Sequence, residues 1–265
     1  MSFAKIGDIV VHYQMDGPEG APTMVFANSL GTDLRIWDST VAHYSDRFRC
    51  IRYDKRGHGL TDATEGDYTM AQLGQDLAGL LDHLGVTDYI MAGVSIGGLI
   101  SQQIYHDRPA GIRALIMCDT AAKLGTAEMW QERIAAARSE TGIAGMSDAV
   151  MQRWFRPRFH RENPVELQGY TNMLVRIPSA GYAGCSCAIR DVDLRDKVTN
   201  ISVPSLVVCG AEDGATPTDV VRPFAESVPG ADYVEIPECA HLPSLEQPQA
   251  LIEAMDAFLS KNGLL

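Results

Sequence analysis

A serine, an acid and a histidine that together can move an acyl group lie in order along this chain. Ser95 sits in Gly93-Val-Ser-Ile-Gly97, after the apolar run Tyr89–Ala92 and before a segment of helical character. A serine on such a strand–turn–helix is held in a strained turn that exposes its hydroxyl at the strand end. The turn requires the residues two before and two after it to lack clashing side chains. A serine hydroxyl is a weak nucleophile; it needs a base, and the base needs an orienting acid. Asp213 lies just beyond the run Val207–Gly210, and His241 lies in the loop after the last strand-like run. Glu212 is nearer the strand, but Asp213 stands where the motif carries its acid. The helix opening near Ile96 points free N–H groups at charge forming beside Ser95. An oxyanion hole then pairs the Ile96 N–H with one from the loop Asn28-Ser-Leu-Gly31, where Leu30 is the candidate.

These residues need a sheet to hold them. Runs at Phe3–Ile6 and Ile9–Met15 around Gly7-Asp8 read as a hairpin. Further strand runs fall at Thr23–Ala27, Phe48–Tyr53, Tyr89–Ala92, Ile112–Cys118, Ser205–Gly210 and Asp232–Ile236, which makes eight strands. Apolar residues at helical spacing mark Leu34–His43. Thr69-Met-Ala-Gln72 reads as a capping box whose helix buries Leu73, Leu77, Leu80, Leu81 and Leu84 and closes at Gly85. A helix after Ser95 stops before Pro109. The last helix starts near Pro248 and turns Leu251, Ile252, Met255 and Leu259 inward. Alternating β and α units call for an α/β fold, a mostly parallel sheet with helices on both faces. From 121 to 195 no buried strand is evident. Amphipathic stretches at Ala127–Ser139, Met146–Phe155 and Pro164–Ile177 predict a helical cap there, with 1–120 and 196–265 as the core. Ser95, Asp213 and His241 all fall at C-terminal strand ends, where open α/β sheets place their sites.

Composition narrows the partners. The 265 residues are 46% hydrophobic, with a net charge of −12. That balance argues against nucleic acid and against an anionic membrane surface. No apolar run approaches a membrane span, and the start, Met1-Ser-Phe-Ala-Lys, lacks a signal-peptide apolar region, so a soluble cytoplasmic protein is expected. Nothing in the chain assigns an oligomeric state. Cys50, Cys118 and Cys209 lie in apolar strand runs as small hydrophobes. Cys185-x-Cys187 is too short a spacing for a zinc site, and no disulfide framework is implied. His12, His43, His83, His106 and His160 have no carboxylate or cysteine at ligand spacing, so no metal is expected. His58, in Arg56-Gly-His-Gly59, is expected to fix its loop by hydrogen bonds.

Taken together, these stretches resemble the α/β-hydrolase superfamily over the whole chain, and within it the 3-oxoadipate enol-lactonases. The resemblance is carried by Asn28-Ser-Leu-Gly-Thr-Asp-Leu-Arg-Ile-Trp-Asp38, Tyr53-Asp-Lys-Arg-Gly-His-Gly-Leu-Thr-Asp62, Gly93-Val-Ser-Ile-Gly-Gly98 and Ala240-His-Leu-Pro-Ser-Leu-Glu-Gln-Pro248. The first is the more discriminating, because most relatives have His-Gly where this chain has Asn28-Ser29. The resemblance implies hydrolysis of 3-oxoadipate enol-lactone to 3-oxoadipate in bacterial aromatic degradation, with no cofactor. The partner is then a small anionic lactone, and an acidic protein must supply a cation to hold it. The cap offers Arg133 and Arg153, with Trp130 and Trp154 as walls. The same triad also suits a general carboxylesterase or perhydrolase, or a carbon–carbon bond hydrolase. An alternative of another class is a ligand-binding receptor that keeps the fold.

Overall fold

A computed structural model describes residues Met1–Leu265. Eight strands form one sheet: β1 (Ser2–Ile6), β2 (Ile9–Asp16), β3 (Thr23–Ala27), β4 (Arg49–Tyr53), β5 (Tyr89–Val94), β6 (Ile112–Cys118), β7 (Ser205–Gly210) and β8 (Asp232–Ile236). Their order is β1-β2-β4-β3-β5-β6-β7-β8. The β1–β2 and β2–β4 pairs are antiparallel and the rest parallel. Strands β5 and β7 are buried along their whole length. That is why they read as unbroken apolar runs rather than alternating ones.

Register places the chemistry. Ala27 pairs with Gly93, Val94 with Cys118, Cys118 with Val208, and Gly210 with Ile236. Strand β4 runs parallel to β3, with Phe26 opposite Arg52, so the C-terminal ends of β3, β4, β5, β6, β7 and β8 finish at one edge, and their following loops meet there.

The flanking helices are α1 (Asp38–Tyr44), α2 (Met70–His83) and α3 (Ile96–Asp107). The stretch expected as one helix from Leu34 begins instead as a 3-10 turn, Leu34–Trp37, because the Asp33 side chain accepts the Arg35 N–H two residues on. Thr69 caps α2 through the Gln72 N–H, and Gly85 closes it with φ +66°. Leu73, Leu77, Leu80 and Leu81 are buried on the inner face of α2. Each such leucine contributes about 2 kcal/mol of apolar burial.

Between β6 and β7 the chain forms no strand. It folds into α4 (Ala127–Ala137), α5 (Ser147–Trp154), α6 (Pro157–Glu162), α7 (Pro164–Val175) and α8 (Ser179–Asp191). Amphipathic periodicity predicts α4, α5 and α7 but not α6 or α8. Helix α8 is made of small residues and is buried over Gly181–Ile189, so it shows no amphipathic period. Its small residues let it lie on the loop after β4, where a Cβ on Gly181 would sit 2.2 Å from the Gly57 carbonyl oxygen. Lys123 Nζ donates to the Arg190 and Val192 carbonyls at the end of α8. One continuous core runs from the sheet (Leu115, Ile116) through α3 (Leu99) into this segment (Trp154, Leu174, Ile189). The chain ends with α9 (Thr218–Ser227), the short α10 (Pro243–Glu246) and α11 (Pro248–Lys261). No helix is long and apolar enough to cross a membrane.

Candidate active site

Ser95 is the first residue after β5 and has φ 59°, ψ −119°. Positive φ is costly for a residue with a side chain, so the surroundings must hold it there. They do so through its backbone. The Ser95 N–H donates to the Cys118 carbonyl at 2.9 Å, and its carbonyl accepts from Gly98 N–H, Leu99 N–H and the Thr120 hydroxyl. The flanking glycines are steric necessities. A Cβ on Gly93 would lie 2.3 Å from the Gly97 carbonyl oxygen, and one on Gly97 would lie 2.2 Å from that of Ala27.

His241 and Asp213 form a buried pair. His241 Nδ1 lies 2.8 Å from Asp213 Oδ2. The second carboxylate oxygen accepts the Ala215 and Thr216 N–H groups at 2.7 and 3.0 Å. Burial alone would raise the Asp213 carboxyl; the His241 charge and these N–H groups outweigh it and hold it below its ordinary value. Glu212 is exposed and points to Arg156 instead. The His241 N–H donates to the Trp154 carbonyl at 3.2 Å, which joins the histidine loop to α5.

Ser95, His241, Leu30, Trp130, Arg133, Arg153, Trp154 and Tyr182 line one cavity of about 100 Å³. A single water needs roughly 10–15 Å³, so the cavity has room for a small molecule. The Leu30 N–H has no hydrogen-bond partner within the protein. Ile96 opens α3, where the first N–H groups lack intrahelical acceptors. Arg133 stacks on Trp130, its guanidinium carbon 4.8 Å from the ring centroid. Neither Arg133 nor Arg153 is paired with a carboxylate. Burial, and then the Arg133 charge, lower the Arg153 guanidinium from its ordinary value. Both guanidinium groups thus line the cavity without a carboxylate partner.

Other residues at this edge were not singled out as parts of the site by their sequence. His58 does not line the cavity. It is buried, and its Nε2 accepts the Gly31 N–H at 3.0 Å. Burial and the neighbouring Lys55 charge hold it well below its ordinary value, so the ring is neutral and Nδ1 donates to the Arg56 carbonyl. Lys55 Nζ donates to the Ser29 carbonyl at 2.6 Å. Together these two side chains clamp the loop that carries Leu30. Asp119 follows β6, is fully buried, and accepts the Gly210 N–H at 2.7 Å. Asp119, Asp213 and His241 bring a ligand atom each within 4.8 Å of one another. Within this group Asp213 Oδ2 and His241 Nδ1 are already joined by a hydrogen bond at 2.8 Å. A lone Asp after a strand reads as a turn residue, and no sequence signal marks it.

The chain belongs to the α/β-hydrolase family: a profile described as the alpha/beta hydrolase fold matches residues 22–248. Within that family it is 34% identical to 3-oxoadipate enol-lactonase 2 of Acinetobacter baylyi, over 96% of this chain and 94% of that one. An enol-lactonase from Burkholderia xenovorans superposes with a TM-score of 0.94 at 36% identity, covering 98% of this chain and 100% of the other. A thermophilic esterase from Thermogutta terrifontis matches with a TM-score of 0.92 at 26% identity, over 99% of both chains.

Proposed function

We propose that this hydrolase opens the ring of 3-oxoadipate enol-lactone to give 3-oxoadipate in the breakdown of aromatic compounds, as a cytoplasmic enzyme. The observation that carries the reading is the pair Arg133 and Arg153, free of acid partners, above Ser95 and His241 in a single cavity. In a chain of net charge −12, such a pair is a local exception that suits a small anionic substrate. Residues 121–195 act as the cap that supplies it, and the remainder as the catalytic core.

Ser95 Oγ attacks the lactone carbonyl carbon as His241 Nε2, the ring nitrogen left free by Asp213, takes its proton. The Leu30 and Ile96 N–H groups hold the oxyanion. Collapse breaks the bond between the acyl carbon and the ring oxygen. That oxygen leaves as an enolate, accepts a proton from His241 and tautomerises to the ketone. The leaving group stays tethered, so the acyl-enzyme retains every substrate atom. His241 then deprotonates water, which attacks the acyl carbon and frees Ser95. Asp213 keeps the imidazole oriented and stabilises its cation. Trp130 and Trp154 wall the ring, and the two arginines bind its carboxylate.

The test follows absorbance loss of the enol-lactone beside hydrolysis of a neutral p-nitrophenyl ester. Ser95→Ala is expected to lower kcat by roughly 10⁴-fold or more. Arg133→Ala is expected to raise KM for the lactone roughly tenfold or more, with a smaller change for the neutral ester. Equal effects on both substrates would remove the anion-binding role, and turnover by Ser95→Ala would remove the nucleophile.

A further inference from the structure

Asp119 is a buried carboxyl that the mechanism above does not use. Its backbone is locked at φ +48°, with its N–H donating to the Val208 carbonyl at 2.8 Å. Its own carbonyl accepts the Thr216 hydroxyl at 3.0 Å, and that hydroxyl lies 3.3 Å from His241 Nδ1. Asp119 is thus fastened to the same loops as Asp213 and His241.

The donors are unequally shared. Asp213 receives three N–H groups, from Ala215, Thr216 and His241. Asp119 receives one, from Gly210 on Oδ1, and its buried Oδ2 has no N–H or O–H donor. Two buried carboxylates with oxygens within 4.8 Å of each other do not both ionise, because burial leaves their repulsion nearly unscreened. The proton settles on the acid with fewer donors. Burial, and then the Asp213 charge, push Asp119 well above its ordinary value against the Gly210 N–H.

We propose that Asp119 is a positioning residue that carries a proton on Oδ2 and donates it as a hydrogen bond to Asp213, so that the buried pair holds one negative charge. The proposal rests on the triad reading of Ser95, Asp213 and His241. The bond adds a fourth donor to Asp213 and fixes the carboxylate that orients His241. It also limits the charge. A second carboxylate beside the imidazole would stabilise its cation and hold it protonated when a base is needed. The remaining titratable groups around Asp119 are the thiols of Cys118 on β6, Cys209 on β7 and Cys239 in the loop after β8. All three are pushed up by burial and are neutral.

The experiment compares Asp119→Ala and Asp119→Asn in the full chain. Asp119→Ala is expected to lower kcat/KM roughly 10- to 100-fold, the loss of one bond to a charged acceptor. Asp119→Asn puts an amide N–H where the acid O–H stood, and is expected to restore kcat/KM to within about threefold of wild type. The acid limb of its pH profile, which reports the general base, stays in place. In the infrared, wild type shows a protonated-carboxyl C=O band at about pH 8 that Asp119→Asn lacks. An acid limb displaced downward by about one unit in Asp119→Asn would mean an ionised Asp119 and would overturn the proposal. So would the absence of the infrared band. If Asp119→Ala does not fold, the Asn profile and the band still decide. Failure of the triad reading shows separately, as turnover by Ser95→Ala, and leaves the band in place.

Discussion

His58 Nε2 accepts the Gly31 N–H at 3.0 Å and so ties the loop after β4 to the loop after β3. Gly31 follows Leu30, whose N–H is the proposed oxyanion donor. The bond forms only with a neutral ring, and burial keeps the ring neutral. A residue outside the cavity lining therefore holds the loop whose Leu30 lines it.

His58→Ala leaves the Gly31 N–H without a partner in a buried place. The expected cost is about 1–3 kcal/mol of stability, and a fall in kcat of roughly tenfold as the Leu30 N–H loses its aim. Steady-state kinetics with a thermal melt checks this. An unchanged kcat in a folded variant would show that the oxyanion loop holds its shape without the histidine.

Lys55 gives a pH signature. Burial pushes its ammonium down to about 8 from the ordinary 10.5, with Cys185, Asp54 and Asp33 opposing. The folded state thus releases the proton first, and the unfolded chain binds more protons between these two values. Stability from this group is lowest below pH 8, rises with pH through the window and is complete above 10.5. Lys55→Met lacks the slope. Wild type minus variant should therefore gain about 3 kcal/mol in unfolding free energy across the window. Urea titrations of both proteins at several pH values measure it, and a flat difference would contradict the depressed ammonium.

Glu246 joins the histidine loop to the helical segment. Its Oε2 accepts the Ala240 N–H at 2.7 Å, and its Oε1 accepts Arg156 Nε at 3.1 Å. The carboxylate is nearly inaccessible, with 1% of its side chain exposed, so solvent does not screen the pair. Glu246→Ala leaves Arg156 only the exposed Glu212 at 3.4 Å and Glu238 at 3.7 Å, and frees the residue before His241. A loss of about 3 kcal/mol and a lower kcat are expected, with Glu246→Gln between the two proteins. Calorimetry and kinetics on both variants test it. Equal melting temperatures would show that Glu212 and Glu238 suffice to hold Arg156.

All six cysteines are buried and free. Burial pushes the Cys50 and Cys185 thiols up to about 12 and Cys187 up to about 11. Thiolate, not thiol, reacts with disulfide reagents. Native protein near neutral pH should therefore titrate no thiols and denatured protein six. Any fast-reacting thiol in the native state would locate a segment that opens.

Much of the sheet and of the candidate site is legible in the sequence. Strands buried along their whole length read as apolar runs, so β5 and β7 stand out, as does β6 beyond the exposed Arg113. The glycines around Ser95 follow from sterics within one turn, and the order of Ser95, Asp213 and His241 follows from where strands end. Helix α8 is not legible, because a helix buried on all sides by small residues carries no period. Asp119 is not legible either. Its meaning lies in Asp213, a residue distant in the chain, and a carboxyl beside a turn looks the same with or without that neighbour.

The sequence by itself determined the turn at Ser95, the alternation of strands and helices, and the arginines of the segment between β6 and β7, because each is a matter of local sterics, periodicity or charge. Only the tertiary structure decided which arginines share a cavity with Ser95, that His58 and Lys55 clamp the Leu30 loop, and that Asp119 stands against Asp213. Those relations arise where six parallel strands end in register, and packing there brings together side chains that chain order keeps apart.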